Sequence, residues 1–209
     1  APPDKFAALM GNLGIGAQTF VVAYDDAGGM LAARLWWALN YYGHTQVAVL
    51  DGGWQKWRAE DRPVTSEPPR YSLARFVPSI NPALRRTADD VQALLGSATQ
   101  LVDVRTPAEF SGAASRAARS GHIPGAFNVP RNALLTADNV MLPNGVLQDS
   151  LAAHGVDLEG DVVLYCNGGV SASYGLLALR AAGYDGGAVY DGSWKEWGND
   201  PARPIATDL

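Results

Sequence analysis

The chain has one cysteine, Cys166, set between two segments of different character. Before it, Val162-Val163-Leu164-Tyr165 is an unbroken apolar run of the buried-strand type. After it, an alanine- and leucine-rich stretch from Ser171 to Ala182 reads as a helix, with Gly183 just past its end. The cysteine therefore falls on the turn between a strand end and a helix start, where open α/β sheets bind their ligands. Gly168 and Gly169 let the backbone curl so that successive N–H groups face one atom, forming an anion-binding nest. The helix start adds unsatisfied N–H groups and the positive end of its dipole. Such a setting favours sulfur as thiolate, and it would equally favour a second anionic sulfur bonded to the first, a persulfide. The alternative is a buried structural cysteine, since free cysteine is among the most buried residue types. A Gly-Gly turn directly behind the residue argues for the reactive reading.

The remaining composition narrows the function by exclusion. A net charge of -5, with no basic cluster longer than Arg85-Arg86, argues against a nucleic-acid partner. Arg34 interrupts the longest apolar run, so no segment reads as membrane-spanning. A single cysteine precludes an internal disulfide and suits a reducing compartment, which points to the cytoplasm. His44, His122 and His154 are scattered without metal-ligand spacing, and neither a metal nor any other cofactor is expected.

The chain repeats itself. Pro2 to Tyr24, followed by Asp25, parallels Pro143 to Tyr165, followed by Cys166; Asp51-Gly52-Gly53-Trp54-Gln55-Lys56-Trp57 parallels Asp191-Gly192-Ser193-Trp194-Lys195-Glu196-Trp197. The spacing between copies changes by one residue from the first block to the last, so one residue is gained or lost between them. Two copies of one domain account for this pattern. Asp25 cannot carry sulfur, so the first copy is expected to be inert. Taking the copies as equivalent units, the first lacks roughly its first 60 residues. The partner of a strand at Phe20 to Tyr24 is expected to be absent from this chain; either a separate polypeptide carrying that segment is a partner that fills the gap, or the edge is left bare.

These residues must be positioned by α/β units. In the first copy, strands are expected at Phe20 to Tyr24 and Val47 to Leu50, with helices at Gly29 to Tyr42 and Gly53 to Glu60; Trp54 and Trp57 share one face of the last helix as core anchors. Residues 63–82 carry five prolines and read as an extended linker. In the second copy, Thr87 and Thr106 each begin a helix, the latter with Pro107 at its first position and Glu109 at its third. Leu101 to Val104, Ala126 to Val129, the run into Cys166 and a segment ending at Tyr190 read as strands, with a helix around Gln148 to His154. Strands and helices alternating at this spacing imply parallel βαβ units. Arg105, at a strand end, has the chemistry to bind a planar anion bidentately, or else to pair with Asp103 or Glu109. Arg116 and Arg119 read as solvated loop charges, and His122 as a turn-fixing residue rather than a base.

Taken together, Asp103-Val104-Arg105 with Glu109-Phe110, Gly121-His122-Ile123-Pro124-Gly125-Ala126, Tyr165-Cys166 with its short loop, and Tyr190-Asp191-Gly192-Ser193-Trp194 resemble the rhodanese family. The closest likeness is to two-domain sulfurtransferases acting on thiosulfate or 3-mercaptopyruvate. The resemblance implies tandem α/β domains, each a mainly parallel sheet flanked by helices, the first truncated. Residues 1–62 would be the C-terminal part of an inactive domain, 63–82 the linker, and 83–209 the catalytic domain. It implies that Cys166 is the catalytic nucleophile and that its loop, Asn167, Gly168, Gly169, Val170 and Ser171, faces a persulfide with its amides and the Ser171 hydroxyl; Arg105 is the candidate for binding the donor, with the ion pair as its alternative. Sulfur would pass from a small-molecule donor to cyanide or a thiol.

The loop departs from thiosulfate-specific members, which usually carry basic residues where Asn167 and Gly168 stand. It also departs from mercaptopyruvate-type members, which usually have a hydroxyl residue where Gly168 stands. Because the loop is neutral, the singly charged 3-mercaptopyruvate is the favoured donor. Two other classes compete. Dual-specificity phosphatases share the fold but need an arginine where Ala172 stands. A catalytically silent sulfur-binding or protein-interaction module would not need the cysteine.

Overall fold

The computed structural model describes residues 1–207. The chain divides into two units, Ala1–Pro82 and Ala83 onward. The first contains α1 (Pro3–Asn12), β1 (Val21–Ala23), α2 (Met30–Tyr41), β2 (Val47–Val49) and α3 (Gly53–Ala59). β1 and β2 pair in parallel, with Val21 opposite Val47. Phe6, Met10, Ile15, Leu39, Tyr42, Val47 and Phe76 form its core, with Phe6 stacked on Tyr42 at 4.2 Å between ring centres.

The proline-rich stretch lies along the surface of this unit and is hydrogen-bonded to it. The amides of Ala74, Ser79 and Asn81 donate to the carbonyls of Gly11, Tyr42 and Tyr41, and Phe76 enters the core. Trp54 and Trp57 are not core anchors. They are half-exposed and, with Val22, Tyr24 and Leu50, line a surface depression. The strand they flank leaves Val22 and Tyr24 more than half exposed, and among the described residues β1 has no neighbour besides β2.

The second unit holds β3 (Arg85–Arg86), α4 (Ala88–Leu94), β4 (Gln100–Asp103), α5 (Pro107–Ser111), β5 (Phe127–Asn128), α6 (Asn144–Ala153), β6 (Val162–Tyr165), α7 (Val170–Ala181), β7 (Ala188–Tyr190) and α8 (Ser193–Trp197). Its five strands are all parallel in the order β3-β7-β6-β4-β5. β6 lies at the centre and all four of its residues are buried, which explains its unbroken apolar sequence. Thr87 and Thr106 make the expected capping boxes, with Asp90 and Glu109. α7 sits close on the sheet through Gly175, where a Cβ would lie 2.7 Å from Leu164 Cδ2 and 3.1 Å from Val104 Cγ1.

The repeat is visible element by element. α1 and α6 are both ten residues long and both follow a proline in extended backbone; α2 and α7 are both twelve residues long and both follow a left-handed glycine at φ 78°. The one-residue difference therefore falls in the loop between strand and helix. That helix-leading glycine, Gly29, is the fourth residue after Asp25, whereas its counterpart Gly169 is the third after Cys166.

The close approach at Gly175 predicts that Gly175→Val overpacks the α7–sheet contact. The expected loss is about 1–3 kcal/mol, a fall of several degrees in Tm by thermal unfolding. An unchanged Tm would mean the helix has room to retreat.

Candidate active site

The site is built from β6, the loop after it, and α8. Cys166 is a free thiol, 4% exposed, held by hydrogen bonds through its main chain. Its amide donates to Ser193 Oγ at 3.1 Å, and its carbonyl accepts from Trp194 N at 2.9 Å. Lys195 N donates to Asn167 O at 3.0 Å, and Gly169 N donates to the same Ser193 Oγ at 3.1 Å. The start of α8 thus stitches the loop down along its length. Among the described residues, the amides of Asn167, Gly168, Val170 and Ala172 have no acceptor. These N–H groups belong to one tight loop and the first turn of a twelve-residue helix, which adds the positive end of its dipole.

Of the two glycines, only Gly169 adopts left-handed backbone; a Cβ on Gly168 would meet nothing within 4 Å, so the loop is open on that side. Gly169 also occupies the cap position, which puts Ser171 at the second helical residue. Ser173 Oγ bonds back to Gly169 O at 2.8 Å.

Arg105, read from the sequence either as a donor-binding group or as an ion-pair partner, makes the ion pair. Its side chain is 1% exposed and grips Asp103 through Nε and Nη2, and Nη2 also donates to Gly121 O at 2.8 Å. The guanidinium lies 4.5 Å from the centre of the Trp194 ring. Burial works against its charge, but the Asp103 carboxylate outweighs burial and holds the guanidinium above its usual range. This is the ion-pair alternative; among the described residues Nη1 of the buried guanidinium has no hydrogen-bond partner. The Tyr165 hydroxyl accepts from Ile123 N at 3.1 Å and bonds to Asp103, so the residue preceding Cys166 is anchored to the same buried pair.

Sequence reasoning took Glu109 as a helix-cap residue and missed its second contact. Glu109 is buried; Oε2 closes the capping box with Thr106, while Oε1 accepts from Asn167 Nδ2 at 2.8 Å and lies 3.1 Å from Arg116 Nε. Burial raises its pKa, but the bonds from Asn167 and Thr106 and the Arg116 charge outweigh this and hold the carboxyl below its usual range. A negative charge therefore stands against the active loop. Arg116, largely exposed, rests on that charge. Arg119 is no solvated charge: its guanidinium donates to the carbonyls of Gly198, Trp197, Asp200 and Arg203. His122 is buried, stacked on Phe110, and donates from Nδ1 to Phe110 O at 2.9 Å, as a turn-fixing residue would.

The first copy shows what such a loop holds when no sulfur is present. Asp25 Oδ1 accepts from Ala27 N and Gly29 N, both at 2.8 Å; Oδ2 accepts from Leu31 N at 2.7 Å and Ala32 N at 2.8 Å. Burial raises the Asp25 pKa, but these four backbone bonds outweigh it and hold the carboxyl below its usual range. The carboxylate fills its own cradle.

The rhodanese-like domain family model matches residues 2–60 and 87–200. The chain is 36% identical to the "Sulfur carrier protein TtuD" of Thermus thermophilus, over 97% of this chain and 76% of that protein. It is 39% identical to the "Thiosulfate sulfurtransferase" of Rattus norvegicus, over 92% of this chain and 67% of that protein. Among solved structures it resembles a persulfide form of EanB in a tetrahedral intermediate state with ergothioneine (TM-score 0.90, 26% identity), covering all of this chain and 56% of that one. The chain thus spans little more than half the length of that structure.

Two predictions follow from the charges. Arg105→Leu leaves Asp103 buried without its charge partner, so urea unfolding is expected to show a loss of about 3–5 kcal/mol; unchanged stability with a raised KM would instead make Arg105 a donor ligand. Asp25→Ala removes one acceptor group from four amides, and the expected loss is about 2 kcal/mol. Because the folded carboxyl titrates below the unfolded one, this contribution is full above the unfolded pKa and is lost as pH falls through the folded value. Wild type and variant should therefore converge in stability in acid; a gap that persists there would contradict the assignment.

Proposed function

The chain belongs to the rhodanese-like family, and on that premise we propose that it is a sulfurtransferase in which Cys166 carries the sulfur being moved. The observation that carries the reading is the set of unpaired amides at Asn167, Gly168, Val170 and Ala172 beside the cysteine. In the first copy the corresponding loop spends its amides on the Asp25 carboxylate. The second copy has a thiol in that place, so its donors are left for an anion that arrives with the substrate.

The reaction is a double displacement. The Cys166 thiolate attacks the outer sulfur of the donor and a sulfur–sulfur bond forms. The donor's bond to that sulfur breaks, and its electron pair leaves with sulfite from thiosulfate, or with pyruvate from 3-mercaptopyruvate, where the carbon takes up a proton. The persulfide's outer sulfur lies among the loop amides, with the Ser171 hydroxyl as a further donor. Cyanide or a thiol then attacks that sulfur and the Cys166 thiolate departs.

Donor choice follows from charge. Asn167 to Val170 offer no cation, Arg105 is paired with Asp103, and the Glu109 carboxylate, itself paired with Arg116, stands against Asn167. A dianion such as thiosulfate meets more repulsion here than a carboxylate monoanion. The reading therefore ranks 3-mercaptopyruvate above thiosulfate, although curated relatives are named for thiosulfate.

Steady-state kinetics with cyanide as acceptor test this. Cys166→Ser is expected to abolish turnover of both donors, and retained turnover would remove Cys166 from the chemistry. The wild-type kcat/KM should be higher for 3-mercaptopyruvate. Glu109→Gln keeps the capping geometry and removes one negative charge, so thiosulfate kcat/KM should rise roughly three- to tenfold, the scale of ~1 kcal/mol of repulsion in a solvated site. A wild-type preference for thiosulfate, or no response to Glu109→Gln, would overturn the donor ranking.

A further inference from the structure

Ser193 is a buried serine in left-handed backbone, φ 55°, a conformation that costs any residue with a Cβ. The first copy follows the same turn with Gly53, also at φ 55°, and a Cβ there would lie 2.3 Å from Asp25 O. The second copy thus accepts a strained serine where its inert counterpart has a glycine. The hydroxyl uses its full bonding capacity: it accepts from Cys166 N and Gly169 N, both at 3.1 Å, and donates to Tyr190 O at 2.8 Å.

The partner of the helix-leading glycine differs between the copies. Gly29 N donates to the Asp25 carboxylate, whereas Gly169 N donates to Ser193 Oγ. One loop is fastened from inside its cradle, by the side chain that fills it. The other is fastened from β7 and α8, through the Ser193 hydroxyl and its bond to Tyr190 O, which holds the amides of Cys166 and Gly169. A thiol cannot accept hydrogen bonds as a carboxylate does, so a loop built around cysteine needs another fastener.

We propose that Ser193 is the positioning residue of this site: its hydroxyl clamps the amides of Cys166 and Gly169 from behind, so that the remaining loop amides stay open to the sulfur being transferred. The inference rests on the sulfur-transfer reading of Cys166 and adds to it a residue that never touches the donor.

The test compares Ser193→Gly and Ser193→Ala with the wild type. Gly relieves the backbone strain and reproduces Gly53; Ala keeps the strain and removes only the hydroxyl. Both variants should lose roughly ten- to a hundredfold in kcat, the effect expected when two amides lose their acceptor, with KM changed much less. Amide hydrogen exchange by NMR should accelerate at Cys166 and Gly169 in both variants, while Ser193→Gly keeps a Tm at or above that of Ser193→Ala. Unchanged kcat in Ser193→Gly, or unchanged exchange at those two amides, would overturn the inference. A wild type that transfers no sulfur would sink the sulfur-transfer reading instead, and the exchange measurement would still report whether the clamp exists.

Discussion

Backbone N–H groups without acceptors set the terms for the second unit. A donor withdrawn from water and left unpaired costs about 1–3 kcal/mol; among the described residues four donors without acceptors are gathered within one loop and one helical turn, from exposed Gly168 to buried Ala172. Such a loop would collapse onto its own donors unless its neighbours held it. The central strand β6 is buried along its whole length, α8 sews the loop's carbonyls and two of its amides, and α7 is pressed onto the sheet at a glycine. The anion-binding capacity is thus a property of the scaffold.

Beneath the loop lies a second constraint, the buried Asp103–Arg105 pair. A buried ion pair is weak evidence of stability by itself, since both charges give up water. Here it is tied into its surroundings: Arg105 reaches Gly121 O and covers Trp194, and Tyr165 bonds to Asp103. Trp194 and Tyr165 are each adjacent in sequence to a residue that fixes the loop, Ser193 and Cys166. The pair fixes the positions of β4, β6 and α8 relative to one another more than it adds net stability. The first copy solves the simpler problem of closing its loop on its own carboxylate.

Much of this was legible in the sequence. The strand–cysteine–helix turn, the parallel βαβ order, both capping boxes and the repeat all rest on local patterns: an apolar run, a cap residue with its partner three positions on, a block recurring at fixed spacing. What stayed hidden depends on contacts between distant residues. Arg105 offered two readings, and the bond that holds its guanidinium besides Asp103 goes to Gly121, 16 residues away. Glu109 is 58 residues from the Asn167 it holds, and Ser193 is 27 from Cys166. Ser193 did carry a signal, since the repeat aligns it with a glycine, and a serine exchanged for glycine in a strained turn marks a site under a special demand. Trp54 and Trp57 were misjudged because helical spacing shows that two side chains share a face without showing what covers it.

The central claim is that sulfur resides on Cys166. Its most direct measurement is the intact mass of the protein after incubation with 3-mercaptopyruvate or thiosulfate and removal of the donor, followed by peptide mapping. The account predicts a gain equal to one sulfur atom, mapped to the peptide containing Cys166 and discharged by cyanide. A protein that gains no sulfur from either donor, or holds sulfur that cyanide cannot remove, would contradict it.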